Sequence, residues 1–141
     1  MKTKYLLLLL AILIAVFTVS TVSASEKDYA PFVENISDAM LSNHFSHEVV
    51  DYNPEEDCYI LGFTNDKNNI VTYILLKGSA FEFINGSKIR HVNNTTVNGI
   101  DGYLFPDMNF TNFVYQANRD IFIKVCYEDG MKLDLKDYVI K

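Results

Sequence analysis

The stretch Asp57-Cys58-Tyr59-Ile60-Leu61-Gly62-Phe63-Thr64-Asn65-Asp66-Lys67-Asn68-Asn69-Ile70-Val71-Thr72-Tyr73-Ile74-Leu75-Leu76-Lys77 decides the fold. Two runs rich in β-branched and aromatic residues, Asp57–Thr64 and Ile70–Lys77, flank a short polar break, and such runs separated by turn residues are the sequence form of an antiparallel meander. The same pattern continues on both sides. Further strands are expected at Glu48–Tyr52, Phe81–Ile84, Ser87–Val92, Tyr103–Phe105 with its preceding glycine, Phe110–Gln116 and Asp120–Tyr127, with another over Met131–Ile140. Asn85-Gly86 is the strongest turn signal, because both residues accept positive φ and suit a tight primed hairpin. Asn98-Gly99, Asp101-Gly102 and Asp129-Gly130 repeat that chemistry.

Upstream of the strands the period changes. Tyr29, Phe32, Val33, Ile36 and Met40 fall on one side, with Glu34, Asn35, Ser37 and Asp38 on the other, which predicts a helix over Tyr29–Asn43 with one buried face. Asp28 is placed to cap its start, with Pro31 in the first turn, where a missing amide proton costs nothing. The helix should end near His44. The fold class expected is therefore α+β, one N-terminal helix packed on a twisted antiparallel sheet.

The first 24 residues have a different role. Lys2 and Lys4 precede an apolar run from Tyr5 to Val19, and Val22-Ser23-Ala24 closes it with small residues, the pattern of a secretory signal with cleavage expected between Ala24 and Ser25. Left uncut, Tyr5–Ala24 has the length of a membrane-spanning helix and would tether the protein. Either way residues 25–141 form one domain outside the cytoplasm, secreted or at the cell surface, large enough to bury roughly two thirds of its unfolded surface. Because Lys2 and Lys4 leave with the signal, the 12 basic residues become 10 against 18 acidic ones, a balance of −8. That excess argues against nucleic acid and anionic membrane as partners, so membrane contact is expected only through an uncleaved N-terminal segment.

Cys58 and Cys126 are the only cysteines. In an oxidising compartment an even count predicts one intramolecular disulfide, worth about 4 kcal/mol on the loop-entropy account; two buried free thiols are the alternative. Five glycosylation sequons follow, beginning at Asn35, Asn85, Asn93, Asn94 and Asn109, all at positions expected to be exposed. His44 and His47 lie three apart beside Glu48, the one candidate metal pair, but the order of the residues fits no zincin pattern. Asp51, Asn53 and Glu55 alternate like the first ligands of a calcium loop, yet Glu56 and Gly62 stand where that loop needs its glycine and its bidentate glutamate, so Pro54 and its acidic neighbours read as an exposed turn. No Gly-x-Ser-x-Gly elbow and no cofactor motif is present. The rings of Phe81, Phe83, Phe105, Phe110, Phe113 and Tyr115 are expected in the core, since a chain without tryptophan must fill it with phenylalanine and tyrosine.

The stretch Thr95-Thr96-Val97-Asn98-Gly99-Ile100-Asp101-Gly102-Tyr103-Leu104, followed by Phe113-Val114-Tyr115 and Asp120-Ile121-Phe122-Ile123, resembles short secreted or membrane-anchored proteins of methane-producing archaea, a group without an assigned activity. The resemblance implies an archaeal cell-surface setting and transfers no catalytic residue. The functional expectation is a non-enzymatic binding or structural domain at the cell surface, without a cofactor, whose partner is a surface protein or glycan. The alternatives are a small envelope hydrolase built around His44 and His47, or a secreted inhibitor docking through a sheet edge or a hairpin such as Ile84–Ser87.

Overall fold

The computed structural model describes residues 24–79 and 91–140. Helix α1 spans Ala24–Ser42, followed by seven strands: β1 Ser46–Asn53, β2 Cys58–Thr64, β3 Ile70–Lys77, β4 Asn93–Val97, β5 Ile100–Asp107, β6 Phe110–Gln116 and β7 Ile121–Glu128. They form one antiparallel sheet in the order β1-β2-β3-β7-β6-β5-β4, with α1 packed against β1 and β2. The expected α+β class is thus the observed one. The signal segment, the expected strand Phe81–Ile84, the Asn85-Gly86 turn and most of Ser87–Val92 lie outside the described residues. No helix among the described residues is long and apolar enough to cross a membrane.

Helix α1 buries Tyr29, Ile36 and Met40 completely, the three residues that its period aligns. It begins earlier than the sequence suggests, so Asp28 is not its cap and Pro31 lies within it. Asp28 instead ion-pairs with Lys77 of β3 at 2.7 Å. The C-terminus is closed by a pair of backbone bonds, Phe45 N–H to Met40 C=O at 3.0 Å and His44 N–H to Leu41 C=O at 3.1 Å, with His44 left-handed at φ 65. This is the Schellman arrangement, and Phe45 and Met40 supply its apolar contact in the core.

Paired residues share a face, so the register sorts the sheet into two surfaces. Leu61, Tyr73, Val125 and Phe113 form one continuous row under the helix side, and Tyr59, Leu75, Ile123 and Tyr115 the next. The C-terminal segment covers the half of this face that α1 leaves. It is not the strand expected over Met131–Ile140 but a short 3-10 turn, Leu135–Asp137, followed by buried Tyr138 and Val139. Its backbone is held by hydroxyls from the sheet rather than by a ladder: Tyr73 donates to the Tyr138 carbonyl at 2.7 Å, and Tyr115 bridges the carbonyl and the N–H of Ile140.

The hairpin between β4 and β5 turns at Asn98 (φ 54) and Gly99 (φ 72), as the dipeptide predicts. Asp101-Gly102 is not a turn; it lies inside β5, where Gly102 is required by packing. A Cβ there would stand 2.5 Å from Phe113 Cζ and from the Val114 carbonyl.

Candidate binding face away from the helix

The side chains pointing away from α1 alternate with the core residues along every strand. Across the sheet they read Ile60, Ile74, Lys124, Val114, Tyr103 and Asn94 in one row, and Cys58, Leu76, Phe122 and Gln116 in the next. Phe105 and Val114 are fully buried here, packed with Ile74, Leu76 and Phe122 in a small apolar cluster separate from the main core.

An open cavity of about 680 Å³ lies beside this cluster, over β4, β5, β6 and the start of β7. Its volume falls in the range of about 300–1,000 Å³ typical of small-molecule sites. The away-facing residues Asn94, Thr96, Asp101, Tyr103, Val114, Gln116 and Phe122 line it, together with Ser79 at the end of β3. Tyr103 is 37 % exposed. Thr96 donates its hydroxyl to the Asp101 carboxylate at 2.5 Å across the β4–β5 pair, and the Gln116 amide donates to the Arg119 carbonyl at 3.2 Å, so the polar rim is partly fixed in place. Among the described residues the away-facing side chains of the lining comprise two amides, three hydroxyls, one carboxylate and two rings, with no imidazole, thiol or basic group.

The cysteines lie on this same face but do not form the expected disulfide; both are free thiols. Cys58 is opposite Leu76 and Cys126 opposite Thr72 on the intervening strand β3. Two strand spacings and four residues therefore separate them, about 10 Å across and about 13 Å along the sheet, whereas a bridge needs Cα atoms within about 7 Å. Burial pushes each thiol up to about 11, reinforced at Cys58 by Glu56 and Asp57, so neither is a reactive thiolate at neutral pH.

His44 and His47 are not brought together into a metal site. His44 is the left-handed residue of the helix cap, while His47, in β1, sits with Nε2 3.0 Å from Ser37 Oγ and its ring 5.0 Å from that of Phe63. No group of three His, Cys, Asp or Glu side chains that could hold a metal occurs among the described residues. Pro54–Asp57 is the turn expected between β1 and β2, with Asn53 Oδ1 accepting from the N–H groups of Glu55 and Glu56.

Of the described sequons, Asn35 is exposed in the middle of α1, Asn93 and Asn94 are exposed in β4, and Asn109 is exposed at the tip of the β5–β6 hairpin. Strand alternation gives Asn93 and Asn94 opposite faces, and only Asn94 lines the cavity. The same hairpin tip presents Met108, 91 % exposed with φ 55, and Phe110, 43 % exposed. Asp129 braces the tip, its N–H donating to the Asn109 carbonyl at 2.8 Å and its carboxylate accepting from Thr111 at 2.5 Å.

Thr96, Asp101, Tyr103, Gln116 and Phe122 belong to no motif that marks a site in the sequence. The signal for those in β4 and β5 is the period of two on either side of Asn98-Gly99, which places Asn94, Thr96, Asp101 and Tyr103 on one face of a hairpin; Gln116 and Phe122 join them only through the pairing of β6 with β5 and β7. No protein-family model matches this chain, and neither the curated proteins nor the solved structures contain a match to it.

Proposed function

We propose that the mature chain is a non-enzymatic, extracytoplasmic binding domain at the cell surface, in keeping with the archaeal envelope setting that its resemblance implies. The observation that carries this reading is the separation of the cavity from the chemistry. The cavity lies over β4–β6, whereas His47 and Ser37 meet at the β1 side of the sheet against Phe63, and the thiols, buried at Cys58 and half-buried at Cys126, are protonated. A hydrolase needs nucleophile, base and substrate space in one place. Here the concave surface offers recognition groups and the only described serine–histidine contact lies elsewhere.

The test has two arms. Intact mass of the protein from secreted and membrane fractions should show a chain starting at Ser25, heavier by glycan where a sequon is used; a full-length species confined to the membrane would mean a tethered domain. Ester, peptide and glycoside substrates should show no turnover that Ser37→Ala or His47→Ala removes. Turnover lost in those variants would establish the hydrolase instead.

A second reading is favoured by the β5–β6 tip. A non-glycine residue with positive φ that projects an apolar side chain into solvent is costly, and a braced hairpin carrying Met108 and Phe110 is the form a docking inhibitor takes. Met108→Asp with Phe110→Ser should abolish inhibition of a sensitive envelope protease if this reading holds, and should leave ligand binding at the cavity unchanged if the cavity is the working site.

A further inference from the structure

We infer that the cavity over β4–β6 recognises a neutral saccharide. This rests on the proposed reading of the chain as a binding domain and adds the chemical class of its ligand. A pyranose has two kinds of surface: faces made of C–H groups, and a rim of hydroxyls that each donate and accept a hydrogen bond. The cavity presents the complement of both. Tyr103 and Phe122 supply apolar surface above the buried Val114, and the Tyr103 ring is exposed enough to receive a flat apolar face. Around them stand Asn94 and Gln116, whose amides donate and accept, the hydroxyls of Ser79 and Thr96, and the Asp101 carboxylate, which has acceptor sites beyond the one filled by Thr96.

Competing ligand classes fit less well. An anion would face Asp101 in a chain of formal charge −6, without a basic partner among the described lining residues. An alkylammonium would find one carboxylate, already accepting a hydroxyl at 2.5 Å, and would leave the amides and hydroxyls around it without a use. An extended peptide would seek the backbone of a sheet edge, not a rim of side chains. The cavity is also open on one side and larger than a single ring requires, which suits one end of an oligosaccharide.

The experiment is amide chemical-shift titration of the full mature chain with cellobiose, maltose, lactose and chitobiose, beside methyl glucuronide as the acidic probe and choline as the cationic one. At least one neutral disaccharide should give saturable shifts confined to β4–β6 and Phe122, with millimolar affinity. Tyr103→Ala and Gln116→Ala should each weaken it by about tenfold or more, the loss expected of a stacking ring or a paired amide. Both positions are solvent-facing, and an unchanged unfolding midpoint will show that the variants fold. Saturable shifts with choline alone, or with the glucuronide alone, would overturn the saccharide assignment and leave the binding-domain reading standing. Absence of any saturable shift with the neutral sugars would overturn it too. Appearance of cleaved sugar in the titrated sample would overturn the non-enzymatic reading while keeping saccharide recognition.

Discussion

The two faces of this one sheet have the same backbone and the same alternation, yet they are finished in opposite ways. On the helix side, Tyr29, Tyr73 and Tyr115 are buried and each hydroxyl bonds to backbone: Tyr29 to the Asp57 carbonyl at 2.6 Å and the Lys77 N–H at 3.1 Å, Tyr73 and Tyr115 to the C-terminal segment. On the other side the apolar cluster is small, and the hydroxyls and amides of Thr96, Asn94 and Gln116 face a cavity. A polar group next to packed apolar surface is stabilising when a partner is built in and available for recognition when it is not. The comparison therefore separates residues whose polar atoms are tied to the backbone inside the core from residues such as Thr96 and Gln116, each held by one bond at the rim and keeping further donor or acceptor capacity for a ligand.

The sharpest way to break the comparison is Phe113→Ala, which empties the centre of the helix-side core where Phe113 stacks on Tyr115 at 5.7 Å. Denaturant unfolding should show a loss of about 3–5 kcal/mol. Gly102→Ala comes next. Its Cβ meets a backbone carbonyl that cannot move aside, and a loss of about 2–3 kcal/mol is expected in the same measurement. Tyr73→Phe leaves the Tyr138 carbonyl without its donor and should cost about 1–2 kcal/mol, with faster hydrogen exchange around residues 138–140.

High pH probes both faces together. Burial raises both thiols from 9.0 to about 11, and raises the Tyr73 and Tyr115 phenols as well. A folded value above the unfolded one means that the unfolded chain loses its proton first. Stability should accordingly hold from pH 7 to about 9 and fall as pH climbs through about 11, followed by unfolding midpoint against pH. The smallest effect belongs to the cavity rim: Gln116→Ala should change stability by no more than about 0.5 kcal/mol, so any large effect of that variant on binding reports recognition rather than folding.

Much of the sheet was legible because its central strands are apolar and bounded by turn residues. Ile70–Lys77 and Phe110–Gln116 are read to the residue, and Asp57–Thr64 and Asp120–Tyr127 fall within one residue of β2 and β7. Strand β4 escaped notice because Asn93-Asn94-Thr95-Thr96-Val97 has almost no apolar content; pairing with β5 holds it in place. Strand β5 runs past the expected Tyr103–Phe105 at both ends, through Asp101-Gly102, which has the composition of a turn, and through Pro106. Pro106 is tolerated because β4 pairs with β5 only as far as Leu104, so one side of the strand has no ladder at that point among the described residues. The C-terminal segment departs from its expected strand for a related reason. Its apolar residues promised a ladder, whereas the acceptors and donors it needs come from two tyrosine hydroxyls remote in sequence.

The sequence by itself determined the class of fold, the buried stripe of α1, the Asn98-Gly99 hairpin and the acidic balance of the chain, because each depends on residues close together or on composition. Tertiary structure alone decided that Cys58 and Cys126 stay apart, that Gly102 is a packing residue, that His44 closes a helix, and that Asn94, Thr96, Tyr103, Gln116 and Phe122 share one cavity. Those outcomes depend on strand order and register, and the pairing of β3 with β7 joins residues about fifty positions apart along the chain.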